Sequence, residues 1–177
     1  MLIKAHDLST TLCPTGWVRS PLADILQESS IRAGDVHSFP VLSVTKHKGI
    51  VRADEYFAKA VHGRDTSNYK VVHPGEFAYA TIHLDEGSIG RLNGSAPGIV
   101  SPMYTVFGAK IEIDPYYFET LLRSPQSIAT YGALAQGTVN RRASISFSAF
   151  SGLILQRPPL PEQKKIAAVL SSVDAAI

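Results

Sequence analysis

The sequence ends in Pro158-Pro159-Leu160-Pro161-Glu162-Gln163-Lys164-Lys165-Ile166-Ala167-Ala168-Val169-Leu170-Ser171-Ser172-Val173-Asp174-Ala175-Ala176-Ile177, and the reading of this stretch sorts everything before it. Pro161 suits the first position of a helix, where a missing N–H costs nothing, and Glu162 complements the positive end of the helix dipole. Ile166, Leu170, Val173 and Ile177 follow at spacings of 4, 3 and 4. That is a two-position heptad seam, narrower than the stripe of an ordinary globular helix, and it asks for a second helix. The segment rises only about 25 Å and carries no Gly, Asn or Pro stop signal, so it reads as a helix cut rather than finished. The plainer alternative is a generic amphipathic C-terminal helix.

Upstream the pattern changes. From residue 39 onward, short β-type runs at 39–45, 69–72, 77–82, 99–100, 103–107, 145–147 and 152–156 alternate with turn residues. Lys48-Gly49, His62-Gly63, Pro74-Gly75, Glu86-Gly87, Asn93-Gly94 and Pro97-Gly98 mark those turns. Residues 17–27, apolar at Trp17, Val18, Leu22, Ala23, Ile25 and Leu26, suit either a short strand or a short helix. Asp114 as N-cap, Pro115 at the first position and apolar Tyr117, Phe118, Leu121 and Leu122 predict a helix over 115–124. A second helix is predicted over 125–134, ending near Gly137, and a turn or helix over 54–61 with Tyr56, Phe57 and Val61 inward. The expected class is α+β: a mixed, strand-rich domain with short helices over residues 1–157, then the start of a long coiled-coil helix over 158–177.

Composition sets outer limits. At 177 residues, 45% hydrophobic and 18% charged, the chain fits one globular domain with a short appendage. Its single cysteine, Cys13, excludes an internal disulfide framework. The opening Met1-Leu2-Ile3-Lys4-Ala5-His6-Asp7 lacks a signal-peptide pattern, and no apolar run approaches the ~20 residues that span a bilayer, so a cytoplasmic protein off the membrane is expected.

Enzymatic signatures fail. Asp114-Pro115-Tyr116-Tyr117 lacks the second proline of the Asp-Pro-Pro-Tyr loop of amino-methyltransferases, and no Gly-x-Gly follows a strand to hold a nucleoside cofactor. Glu162-Gln163-Lys164 sits at a helix start, not on the core strand a nuclease Glu-x-Lys would need. His47, His62, His73 and His83 match no zinc spacing, and only Cys13 could supply a thiolate. Phosphate-loop and nucleophile-elbow motifs are absent. A chain that binds without catalysis, cofactor or metal is expected.

A net charge of +2 says little about what is bound, and its distribution says more. Lys46, Lys48, Arg52, Lys59, Arg64 and Lys70 stand against Asp54, Glu55 and Asp65. A DNA reader must offer donors and acceptors to base edges from rigidly held loops and must anchor on phosphates. Lys46, His47 and Lys48 lie between two strand-like runs, in a loop suited to a groove. Arg91 and Asn93 put a guanine-type and an adenine-type reader on one turn, and Asn140, Arg141 and Arg142 suit phosphate clamping. For each cluster the alternative is a solvated surface. Tyr69 and Tyr79 read as core aromatics.

The wording of 159–177 resembles the start of the conserved spacer helix in specificity (S) subunits of type I restriction-modification enzymes. Further phrases resemble the target recognition domain of the same family: Trp17 with Leu22-Ala23-Asp24-Ile25, the runs 41–45 and 49–51, 67–79, 88–92, 98–107 and 138–147. Together they cover residues 17–177. The resemblance implies a non-catalytic specificity subunit in which one recognition domain reads one half of a bipartite site in double-stranded DNA. It also implies methyltransferase (M) subunits docked beside it, restriction (R) subunits joined through them, and a second recognition domain, in cis or from another copy of the chain. Ile166, Leu170, Val173 and Ile177 are then the helix-partner interface. The alternative is a truncated or orphan domain of this type that scaffolds M subunits with little DNA specificity of its own. The target bases are not legible, because readout depends on loop geometry and DNA shape.

Overall fold

The structure, a computed structural model, describes residues 12–34, 39–57, 65–136 and 144–176. In chain order its elements are β1 (Val18–Pro21), β2 (Leu26–Ser29), β3 (Leu42–Thr45), β4 (Gly49–Arg52), α1 (Ala53–Tyr56), β5 (Lys70–Val72), β6 (Phe77–Ala80), β7 (Ile89–Arg91), β8 (Gly98–Val100), β9 (Tyr104–Ala109), α2 (Pro115–Leu122), α3 (Pro125–Gln136), α4 (Phe147–Ser151), β10 (Ile154–Arg157) and α5 (Leu160–Asp174). Single 3-10 turns stand at Leu22–Asp24 and Leu84–Glu86.

The centre is an antiparallel sheet ordered β2-β9-β6-β7, and its sequence explains how both faces are buried. Successive strand residues point to opposite faces. In Phe77-Ala78-Tyr79-Ala80 the large residues therefore share one face and the small ones the other, and all four are buried. Phe77 and Tyr79, with Phe107 of β9 and Ile89 of β7, meet Phe118 of α2, Tyr131 of α3 and Phe150 of α4 in the main core. Ala78 and Val106 instead face Leu42 and Val44 of β3, Val72 of β5 and Val100 of β8. The second face is thus covered by two ribbons, β3-β4 and β5-β8.

Close approach of those ribbons depends on missing side chains. A Cβ on Gly90 would lie 2.7 Å from the Gly49 Cα and 2.9 Å from the Ile50 N, and one on Gly98 would lie 2.5 Å from a Leu42 methyl. Gly49 also has φ +65°, which closes the β3-β4 turn in the left-handed region.

Residues 17–27 resolve into both alternatives: β1, a 3-10 turn and β2. β1 pairs antiparallel with β10, so the beginning and end of the described globular part are joined. The helix expected over 115–124 is α2, with Asp114 capping it by accepting the Tyr117 N–H at 2.9 Å. Two expectations fail. Residues 145–147 do not form a strand: the Ile145 N–H bonds to Thr81 O at 2.8 Å, Ser146 caps α4, and Phe147 enters the core from a helical turn. The helix over 54–61 shrinks to the four residues of α1, because Phe57 is already extended, and Tyr56 is 43% exposed rather than inward; Val61 lies outside the described residues.

α5 starts at Leu160, which puts Pro161 at its second position, and packs along α2. Gln163 is buried and fixes this docking: its Oε1 accepts the Asp114 N–H at 3.0 Å and its Nε2 donates to Pro158 O at 2.9 Å. Ala167 is buried and Ile166 packs against the main core, while Leu170 is half-buried. Val169 and Val173 are 63% and 51% exposed.

Gly90→Ala is expected to cost about 1–3 kcal/mol, since backbone and not a flexible side chain must yield. Gly132→Ala, whose Cβ would meet nothing within 4 Å in the middle of α3, is expected to be neutral or to stabilise by up to about 1 kcal/mol. Urea unfolding of the pair checks both, and equal midpoints would contradict the ribbon contact.

Candidate nucleic-acid interface

The turn between β3 and β4 carries Lys46, His47 and Lys48 on its exposed side. Its own hydroxyl closes it: Thr45 Oγ1 accepts the Lys48 N–H at 3.1 Å and donates to Gly49 O at 3.1 Å. Lys48 Nζ stands 5.7 Å over the Tyr56 ring, a cation–π contact that holds the long side chain near the surface of α1. The exposed Arg52 pairs locally with Asp54 at 2.7 Å and Glu55 at 2.9 Å, and this pairing raises the Arg52 pKa and lowers that of Asp54. Exposed pairs of this kind contribute little to stability.

Arg91, at the end of β7, and Asn93, on the loop that follows, belong to a different part of the sequence but the same place in the fold. α2 brings them to the turn. Glu119 Oε1 accepts the Arg91 N–H at 3.3 Å and Glu119 Oε2 lies 3.6 Å from Arg91 Nε. One helical turn on, Arg123 Nη1 lies 3.7 Å from Glu119 Oε1 while Arg123 Nη2 donates to His47 O at 2.6 Å and reaches Lys46 O at 3.5 Å. The glycine contact between Gly49 and Gly90 supplies the other half of this junction.

A cleft of about 730 Å³ opens there, lined by Lys48, Arg91, Asn93, Glu119, Arg123 and Asp174 together with the hydroxyl-bearing Thr120 and Ser124. Three cations against two carboxylates leave one positive charge in excess. Across the cleft the Tyr116 hydroxyl donates to Asp174 Oδ2, a bond that raises the Tyr116 pKa and ties the far end of α5 to α2.

Of the sequence-derived candidates, the structure therefore gathers Lys48, Arg91 and Asn93 at one cleft, with Lys46 and His47 on the adjoining turn. Asn140, Arg141 and Arg142 lie outside the described residues, as does Ile177 of the helix seam. Tyr79 is fully buried, donates to Ile145 O at 3.1 Å and has its pKa raised by burial; Tyr69 packs beside Val71 and Ile99. His73 and His83 pair with Glu76 and Glu86, and among the described residues no three His, Cys, Asp or Glu side chains gather as a metal site. Glu119, Arg123, Tyr116 and Asp174 do not stand out in the sequence. The available signal for the first two is their i,i+4 spacing on the polar side of a helix otherwise legible by its apolar stripe.

The fold is similar to part of solved type I restriction-modification specificity subunits. A chain of a type I R-M system solved for its complex assembly and conformational transition aligns with TM-score 0.57 at 12% identity, over 94% of this chain and 40% of its own. The HsdS subunit from Thermoanaerobacter tengcongensis gives 0.57 at 13%, over 94% and 39%, and the S subunit from M. genitalium gives 0.55 at 9%, over 92% and 40%. In sequence, the chain is 27% identical over 125 residues to a putative type I restriction enzyme specificity subunit of Methanocaldococcus jannaschii, over 68% of this chain and 29% of that protein. The resemblance seen in the sequence is thus borne out in a curated relative and in fold. The chain spans less than a third of that relative's length and about 40% of the solved chains. No family model matches it. No helix among the described residues is long and apolar enough to cross a membrane.

The two ends of α5 are held by different kinds of contact, and substitutions are expected to separate them. Gln163→Ala leaves a buried N–H and a buried carbonyl without this partner and is expected to cost about 1–3 kcal/mol in urea unfolding. Tyr116→Phe is expected to leave the unfolding midpoint nearly unchanged while speeding amide hydrogen exchange in residues 170–174. A Tyr116→Phe chain with parental exchange there would show that the tether does not hold the helix end.

Proposed function

We propose that this chain is one target recognition domain of a type I specificity subunit, cytoplasmic and non-catalytic, reading one half of a bipartite site in double-stranded DNA. The observation that carries this reading is the junction made by α2, which brings a basic turn at residues 46–48 of the β3-β4 ribbon and an Arg/Asn turn at residues 91–93 after β7 of the central sheet onto one cleft. Loops held by a scaffold are what base reading requires, and the fold shared with specificity subunits supports it. Lys46, His47, Lys48, Arg91 and Asn93 supply the described contacts, with Asn140, Arg141 and Arg142 as phosphate anchors. In this reading residues 1–157 form the recognition domain and 158–177 the first turns of the spacer helix, whose seam meets its own domain at Ile166 and Leu170 and a second helix at Val173 and Ile177. M subunits dock on the assembly and bring R subunits. The second recognition domain comes from the same polypeptide or another copy.

A second reading, a scaffold for M subunits with little DNA specificity of its own, is favoured by the small charge excess of the cleft and by the exposed Val169 and Val173 on α5. The two differ in what DNA does. Selection on random-site duplexes, with M subunits supplied, is expected to enrich one sequence and to show affinity that falls with salt. Lys48→Ala and a joint Arg141→Ala, Arg142→Ala variant are expected to weaken binding uniformly across sequences and to reduce the salt slope by about 1 per lost phosphate contact. Asn93→Ala is expected to relax preference at one position by about 1–3 kcal/mol. Tight M-subunit binding with neither enrichment nor salt dependence would establish the scaffold and overturn DNA reading.

A further inference from the structure

We infer that Glu119 and Arg123 are positioning residues that set the offset between the two reading turns, and so select the DNA sequence without touching a base. The inference rests on the DNA-reading function above and adds to it residues that the sequence motifs do not single out. Their contacts form one path across the cleft floor: His47 O to Arg123, Arg123 to Glu119, Glu119 to the N–H and Nε of Arg91. The Gly49 to Gly90 approach fixes how near the ribbon comes to β7, but a contact between two glycines has no side chains to resist sliding or pivoting. An ion pair hydrogen-bonded at each end, Arg123 to His47 O and Glu119 to the Arg91 N–H, does resist it.

Two features make this a device for positioning and not a surface ion pair. First, Glu119 is only 14% exposed and Arg123 27%, so screening by water is limited. Second, Arg123 grips the turn by its carbonyl oxygens. The side chains of Lys46 and His47 stay exposed and unspent on holding the loop. A main-chain grip sets where the turn stands whatever residues it carries, which separates placing the reader from being the reader. Arg91 changes role accordingly. With Glu119 accepting its N–H and lying 3.6 Å from its Nε it belongs to the clasp, and base reading falls to Lys46, His47 and Asn93, with Lys48 left to the phosphates.

The test uses the full chain with Glu119→Gln, Arg123→Ala and the double variant, in the random-site selection above together with amide hydrogen exchange. Each single variant is expected to lose about tenfold in discrimination between the selected site and random duplex, and the double variant to lose no more, since one clasp is broken once. Affinity for random duplex is expected to rise with Glu119→Gln and to fall with Arg123→Ala as the cleft gains or loses a net positive charge, and to stay within about twofold in the double variant, whose net charge is parental. A chain loosened as a whole would lose both together. Exchange at residues 46–48 is expected to rise in Arg123→Ala. Parental discrimination in the variants, or unchanged exchange at 46–48, overturns the positioning role and leaves DNA reading intact. A parent chain that selects no sequence overturns the reading function itself, and the role built on it falls too.

Discussion

Most of this structure hangs on the ring of Phe107. It lies on β9 between β2 and β6, directly opposite Phe77, with ring centroids 5.4 Å apart in a stacked arrangement. Tyr79 and Phe147 approach it at 6.2 Å and Phe150 at 5.3 Å. Phe118 reaches it through Phe77, and Tyr131 through Phe150. Each helix from α2 to α4 thus places one or two aromatics on a single cluster, where large buried rings contribute the most apolar area per residue. Tyr79 and Tyr131, the two tyrosines in contact with these rings, keep partners for their hydroxyls, Tyr79 on Ile145 O and Tyr131 on Leu122 O, so they bring the cluster no polar penalty.

A cluster on one face of a four-stranded sheet leaves the other face to be covered, and the same strands decide how. Because Ala78 and Gly90 alternate with Phe77, Tyr79 and Ile89, the second face is shallow. It accepts two-stranded ribbons instead of helices, and the turn of a ribbon projects past the sheet edge in a way that a helix face does not. Large-small alternation in β6 and β7 is therefore the origin of the exposed turn at residues 46–48. Arg91 falls on the helix side of β7 by the same alternation, which is why its partner is Glu119 of α2 and not a residue of the ribbon.

Much of this was legible in the sequence, and what was not has physical causes. The strands at residues 69–72, 77–82, 99–100 and 103–107 and the helices after Asp114 and Pro125 follow from alternation, caps and proline placement. Residues 145–147 mislead because Ile145 and Phe147 carry β-type side chains whose separate destinations, a bond to Thr81 ahead of the Ser146 cap and a helical turn after it, leave no trace in a three-residue window. Lys48, Arg91 and Asn93 are visible as polar residues on turns. Their meeting is not, since it depends on two glycines whose contact joins residues 49 and 90, and on Glu119 and Arg123, which look like any solvated i,i+4 pair until the fold places Arg91 and His47 around them.

The spacing of Ile166, Leu170, Val173 and Ile177 treats the last helix as if its seam were wholly available to a partner. Its own domain already uses part of it. With about 100° of rotation per residue, Gln163, Ile166, Ala167, Leu170 and Asp174 share the arc turned toward α2, and each is buried or half-buried there except the exposed Asp174, whose carboxylate accepts from Tyr116. Val169 and Val173 sit on the flank of that arc and remain open. A second helix, in the arrangement proposed for the spacer, meets α5 on this flank, away from the arc that α5 turns toward α2. The direction in which α5 leaves the domain is then fixed by Gln163 at one end and Tyr116 at the other. Tyr116 and Asp174 line the same cleft as Lys48 and Asn93, so in that arrangement the wall that aims the spacer and the wall that presents the reading turns are one surface.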